Sequence, residues 1–346
     1  MVNQRFRPGD TRGDLSSINT NPSAMTALQA LFATNKALST VQSRISTGLR
    51  VAEAKDNAAY WSIATTMRSD NKVLSTVQDT LGLGASRIDT AYTAMESAIE
   101  LVDEIKQKVL AAVGMSDDNQ AKIQEEISAY QQQLLSIARS ATFSGANWLA
   151  VNSATAFGHP AAGTHNPVEI VAAFTRDPSG AIILGTIDID VQSIKLYDDA
   201  ATTNETMGLL EGLRLGTTGL RDNTATAATA GTVAATDGYA VATFNVVGFS
   251  DEQLAQMLAV VDITVTEMTN AATAIGAAKR RIDMQKEFGS KLMDSIDRGV
   301  GQLVDAYMNK ESTKLQALQV QQQLGIQSLS IANSNAQNIL LLFRGQ

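Results

Sequence analysis

The sequence predicts a mainly α protein in which long antiparallel coiled-coil helices come from both ends of the chain, with a small β-containing insert between them. Three observations predict it. Apolar residues recur at heptad spacing through Tyr60, Met67, Leu74, Leu81, Ile88, Met95, Val102 and Val109. A second such series runs through Leu254, Val261, Met268, Ile275, Ile282, Ile296 and Leu303, with Gly289 in the same phase. Between them, over about 150–249, the helical period disappears, and both histidines gather there with Pro160, Pro167 and Pro178.

Residues 1–15 hold Arg5, Arg7 and Arg12 without periodicity and read as a disordered or non-native leader. Helical patterning begins after Pro22. Leu31, Leu38 and Ile45 recur at heptad spacing with Leu28, Val41 and Leu49 filling the same face, so a first, short helix is expected. Ser46, Thr47 and Gly48 have weak helix propensity and put a break within 46–57. The long helix that follows runs to about Val113, on the order of 80 Å at 1.5 Å per residue. Ile63, Val77, Ala91 and Ile105 flank its seam, and Gly82 and Gly84 within it mark close helix approach or local softening. Gly114 ends it. Ser116 and Asp117 cap a third helix with the face Ile123, Ile127, Tyr130, Leu134, Ile137 and Ala141, and Gly145 makes a turn of 142–148.

In the insert, 168–174 and 181–184 flank Asp177-Pro178-Ser179-Gly180, the composition of a hairpin. Ile187, Ile189 and Val191 alternate with Asp188 and Asp190 as on a half-buried strand, 217–237 reads as a surface loop, and 239–247 as another strand. A limited core that closes locally is expected, and with no heptad seam the insert is expected to be dispensable for assembly. Ser250 with Gln253 offers a capping box for the second long helix. The last segment places Leu315, Leu318, Ile326, Leu329, Ala336, Leu340 and Phe343 on one side, yet Val320, Leu324, Ile331, Leu341 and Leu342 lie elsewhere around it. One seam cannot bury them all. The surplus calls for other copies of the chain or for another protein.

Composition narrows the chemistry. There is no cysteine, which excludes disulfides, thiol catalysis and thiolate metal sites. A net charge of -8 and a pI near 4.9 argue against nucleic acid or an anionic membrane as partner, and no apolar run reaches the roughly 18 residues of a membrane span. His159 and His165 show no metal-ligand spacing, no cofactor motif is found, and no nucleophile, base and ligand set clusters anywhere, so an enzyme is not expected.

Several short motifs carry a likeness. They are SSINTN at 16–21, SRISTGLRV at 43–51, AKDNAAYWSIATTMRSDN at 54–71, IQEEI at 123–127, FSGANWL at 143–149 and LGIQSLSIANSNAQNILLLFR at 324–344. In this order, at both ends of the chain with a variable insert between, they resemble bacterial flagellin, in particular the flagellins of rhizobia and related alphaproteobacteria. The resemblance implies an inner coiled coil of 16–56 with 307–346, an outer helical bundle of 57–150 with 251–306, and an exposed insert over 151–250. The filament-core interface would then be Leu28, Leu31, Leu38, Val41 and Ile45 against Leu315, Leu318, Ile326, Leu329, Leu340 and Phe343, and the two heptad series would form the bundle seam.

The resemblance also implies an extracellular helical polymer of the chain, alone or mixed with other flagellins. It implies secretion without a cleaved signal peptide and contacts with an export chaperone and cap proteins. The chain departs from the family pattern at two places. Leu15 sits where the family's initiator would be. Asn57, Tyr60 and Trp61 replace residues of the peptide that host receptors read strongly, which implies weak recognition. A hook-filament junction protein, the nearest rival, commonly carries a proline where this chain has Asp56-Asn57-Ala58-Ala59, and a secreted coiled-coil adhesin or receptor ligand is the other.

Overall fold

The computed structural model describes residues 21–177 and 179–344, with side chains as far as 334. The expected leader, most of the SSINTN motif, Leu340 and Phe343 thus lie outside the described residues or side chains. The described residues fall into two compact units, one within 1–69 and 295–346, the other within 70–294.

In the first unit, helix α1 (Pro22–Thr47) starts with proline in its first turn and Asn21 as N-cap, whose side chain accepts from the Ala24 amide at 3.1 Å. It ends on Gly48, in the left-handed region at φ 71°. The break predicted within 46–57 is there, and helix α2 (Ala58–Ala112) follows it. The Arg50 and Val51 amides donate to the Val304 carbonyl, at 2.7 and 3.2 Å, where helix α5 (Asp251–Val304) ends. Val51, Ala64, Val300 and Val304 form a small core there, with Leu49, Met67, Ile296 and Leu303 packed on it. Helix α6 (Met308–Arg344) then returns along α1.

In the second unit α2 and α5 run antiparallel. Lys279 pairs with Asp89, Lys106 with Asp262, and Gln78 Nε2 donates to the Lys286 carbonyl at 2.8 Å. The seam residues from Leu81 to Val109 and from Leu254 to Ile282 are buried, as heptad packing demands. Helix α3 (Asp117–Ser140) completes the bundle, with Ile127 and Leu134 wholly buried. Ser144 at φ 49° and Gly145 at φ 77° close the tight hairpin of β1 (Thr142–Phe143) and β2 (Ala146–Asn147). The Ser250–Gln253 box is made in both directions at the head of α5: the Ser250 amide donates to Gln253 Oε1 at 3.3 Å and the Gln253 amide to Ser250 Oγ at 3.4 Å.

The insert differs from expectation in four respects. The hairpin is longer than predicted, β4 (Val168–Arg176) against β5 (Ile182–Ile189), but Val191 opens a short helix α4 (Val191–Ile194), because Asp190 caps it by accepting from the Gln192 amide. Only the first residue of 239–247 is a strand. β3 (Ala150–Val151) pairs with β6 (Tyr197–Asp198), and β7 (Arg214–Leu215) and β8 (Thr226–Ala227) flank β9 (Asp237–Tyr239), after which 240–247 lies on α3 instead of a strand. There Gln124 and Gln131 serve in place of a neighbouring strand, donating to the carbonyls of Phe244 and Val241, while Gln124 Oε1 accepts from the Val246 amide.

The core is neither limited nor apolar throughout. Lys195 and Asp198 form an ion pair at 2.6 Å with neither side chain exposed, and the buried Arg214 makes two bonds, at 3.0 and 2.8 Å, to Glu267 on α5. Finally, Gly84 marks the approach of a strand and not of a helix: a Cβ there would stand 2.8 Å from Ile170 Cγ2 on β4, whereas Gly82 faces open space.

Candidate assembly interface

The terminal pair is held by few polar contacts. Asn21 Nδ2 donates to the Ala332 carbonyl at 2.9 Å, Gln322 Nε2 to Asn35 Oδ1 at 2.7 Å, and Arg44 Nη1 lies 3.5 Å from Glu311 Oε1. Gly325 lets Leu31 come close, since a Cβ there would meet Leu31 Cδ1 at 3.2 Å. The register is antiparallel throughout.

The apolar residues of this pair are covered very unevenly. Val41 and Leu318 are buried, Leu31, Leu38, Ile45, Leu315 and Leu329 half-buried, and Leu28 and Ile326 exposed. Beside them Met25 and Phe32 on α1 are each 64% exposed, and Val320, Leu324 and Ile331 on α6 are 55, 57 and 62% exposed. Two helices lying side by side shield only one face of each, and α6 is apolar on more than one. Among the other seam residues Tyr60 is exposed, with Arg50 stacked 5.8 Å from its ring, and Met67, Ile296 and Leu303 are half-buried around the small core.

No helix of the described residues is long and apolar enough to cross a membrane, and no group of three or more histidine, aspartate or glutamate side chains among them could hold a metal ion. The two histidines stack in the insert with ring centroids 4.3 Å apart, the His159 Nδ1 accepting from the Asn166 amide.

The helices that carry this surface coincide with two family models. Residues 18–154 match the bacterial flagellin N-terminal helical region and residues 258–343 the C-terminal helical region. The chain is also 47% identical to Flagellin C of Rhizobium meliloti (strain 1021) over 340 residues, covering 95% of this chain and all of that protein. The chain belongs to the bacterial flagellin family. Flagellin A of Rhizobium meliloti is 42% identical with the same coverage, and the flagellin of Brucella melitensis biotype 1 is 42% identical over 96% of this chain and all of its own length. Flagellins are structural subunits that associate with one another in the extracellular flagellar filament, and a structural filament subunit is what this flagellin is. The junction-protein and adhesin readings find no support in these matches.

What sequence reasoning missed lies in the second unit. The predicted face of α3 leaves out Gln120, Gln124 and Gln131, yet Gln120 Oε1 accepts from the Gly248 amide and all three hold 241–249. Their recurrence on one helix face was the available signal.

Proposed function

We propose that this flagellin polymerises by burying the apolar surface left open on α1 and α6. In the filament, 16–56 with 307–346 form an inner layer around the lumen, 57–150 with 251–306 an outer bundle, and 151–250 the outermost surface. The breaks in the helices at 48–57 and 305–307 support those limits. The observation that carries the reading is the exposure of Met25, Phe32, Val320, Leu324 and Ile331, each more than half open on paired elements at the ends of the chain. Single exposed apolar residues are ordinary, but a run of them on both members of one helix pair marks a contact surface.

Deleting 324–346 removes most of this surface. The shortened chain should stay soluble, keep the melting transition of the 70–294 unit, and form no filaments under the electron microscope. Ordinary filaments from it would show that the terminal helices are not the assembly surface.

The chain reaches the filament through the flagellum's own export apparatus without a cleaved signal peptide, meeting an export chaperone and the cap proteins on the way, and it polymerises alone or with other flagellins. Host recognition is weak, because a receptor groove that closes over an extended backbone needs small residues where Tyr60 and Trp61 stand. A peptide of 43–64 should give little response in responsive leaf tissue, and one carrying Tyr60→Gly and Asn57→Asp more. A full response to the unaltered peptide would refute this.

A further inference from the structure

The chain has two histidines, and the fold of the insert brings them into contact. His159 lies just past a short helical turn, Thr155–Phe157, and His165 in the stretch that leads into β4; their rings stack at 4.3 Å between centroids. Both are half-buried, and each uses Nδ1 on residue 166. His159 Nδ1 accepts from the Asn166 amide at 3.2 Å, and His165 Nδ1 donates to the Asn166 carbonyl at 2.7 Å. An imidazole nitrogen accepts only while it carries no hydrogen, so the first of these bonds exists only for neutral His159.

Further bonds close the same stretch into a loop. Asn166 Nδ2 donates to the Gly158 carbonyl at 3.0 Å, Ala161 bridges Thr164, and the His165 amide donates to Gln192 Oε1 on α4 at 2.9 Å. Between Ala161 and Thr164, the buried Gly163 carbonyl accepts from Lys195 Nζ at 2.7 Å. That ammonium is the cation of the wholly buried pair with Asp198. The loop of 158–166 is therefore part of the cover that keeps water from an ion pair.

Protonation acts on this closure twice. A hydrogen on His159 Nδ1 abolishes the bond from the Asn166 amide and sets donor against donor. Two imidazolium rings held face to face also repel, and more strongly when half-buried than in water. The charged groups facing His165 are His159, Lys195 and Asp198, with Arg221 and Glu211 acting in turn on Lys195. Burial, aided by His159 and Lys195, outweighs Asp198 and the Asn166 carbonyl and holds the His165 pKa below its usual 6.5. The closed loop thus keeps this contribution in full above pH 6.5 and loses it as pH falls from there through the lower folded-state value.

We propose that His159 and His165 form a pH-operated latch, which holds 158–166 closed over the Lys195–Asp198 pair at neutral pH and releases it in mild acid while the helices stay folded.

The test follows hydrogen exchange of the full-length chain, kept unpolymerised, at about pH 7.5 and about pH 5, with each rate referred to that of an unfolded chain at the same pH. Protection of the 158–166 amides should fall at least about tenfold in acid, the worth of one hydrogen bond, while 81–109 of α2 keeps its protection. In NMR titrations both histidine rings should change with the same midpoint as the loop. His159→Asn places an acceptor that does not titrate near the position of Nδ1, and its loop should be equally protected at both pH values. His165→Phe keeps a stacked ring without the charge and should lessen the acid effect. The proposal is overturned if the parent loop is equally protected in acid, if either variant keeps the parent's full acid loss, or if α2 loosens in step with the loop.

Discussion

Replacing Leu324 and Ile331 together by alanine separates assembly from folding. Each change removes three carbons. At about 0.8 kcal/mol per buried carbon, complete burial of each trimmed group is worth about 2.4 kcal/mol. In the lone chain Leu324 is 57% and Ile331 62% exposed, so more than half of that burial remains to be gained on assembly. The loss is then about 1.4 kcal/mol per residue and about 2.8 kcal/mol for the pair, which raises the critical concentration for polymerisation about a hundredfold. Alanine favours helix, and neither side chain belongs to the core, so the unpolymerised variant should melt with the parent. Sedimentation of filaments over a concentration series measures the effect. A critical concentration within about threefold of the parent would refute the view that this face of α6 is buried in the polymer.

Other parts of the molecule make equally definite predictions. Glu267→Gln leaves the buried Arg214 guanidinium without its anion and should destabilise the 70–294 unit by about 3–5 kcal/mol, read by calorimetry of the unpolymerised chain. Burial opposes ionisation of Glu267, but the bonds and charge of Arg214, with the charge of Arg221, outweigh it and hold its carboxyl below the ordinary 4.5. The parent therefore keeps this stability in full above pH 4.5 and loses it as pH falls through the lower folded-state value, a loss the glutamine variant should lack.

Gly82→Ala, in open space, should stabilise α2 by about 0.5–1 kcal/mol, whereas Gly84→Ala meets Ile170 and should cost about 1–2 kcal/mol net; equal melting temperatures would contradict the close approach of β4. Replacing 151–250 by a Gly/Ser linker should lower the melting temperature of the bundle, because Gln120, Gln124, Gln131 and Gln253 lose their backbone partners; an unchanged transition would show that the insert is energetically separate.

Periodicity alone placed the helices, because a heptad seam buries one residue type at one spacing: Ile88, Met95, Val102 and Val109 are fully enclosed. The caps were equally local, and Gly48, Gly114 and the Ser250–Gln253 box act within a few residues of themselves. The surplus on α6 was also legible, since it needed only a count of apolar faces. Apart from the local Asp190 cap that starts a helix at Val191, what failed needed partners distant in sequence. The 239–247 stretch, YAVATFNVV, has a strand's wealth of β-branched and aromatic residues, but whether a strand or a helix lies beside it depends on where α3 falls. Gly84 takes its meaning from Ile170, and Arg214 from Glu267; neither residue type announces such a partner, and an arginine in a polar-looking insert reads as solvated. Of the candidate site, the helices could be named from sequence, while the extent to which α1 leaves α6 uncovered required their register.

The antiparallel register of α1 and α6 also governs timing. Asn21 and Ala332 touch across a separation of 311 residues, so the first helix to be synthesised waits for the last before it has a mate. Until then α1, 26 residues long, lacks the partner that covers Leu31, Leu38, Val41 and Ile45, and contacts of such long range form late. A chain cut short anywhere before α6 has no second strand for its end, and so cannot present the paired surface at all. On the assembly surface proposed above, the order of the sequence thus acts as a check: a chain without α6 cannot become a link in the polymer.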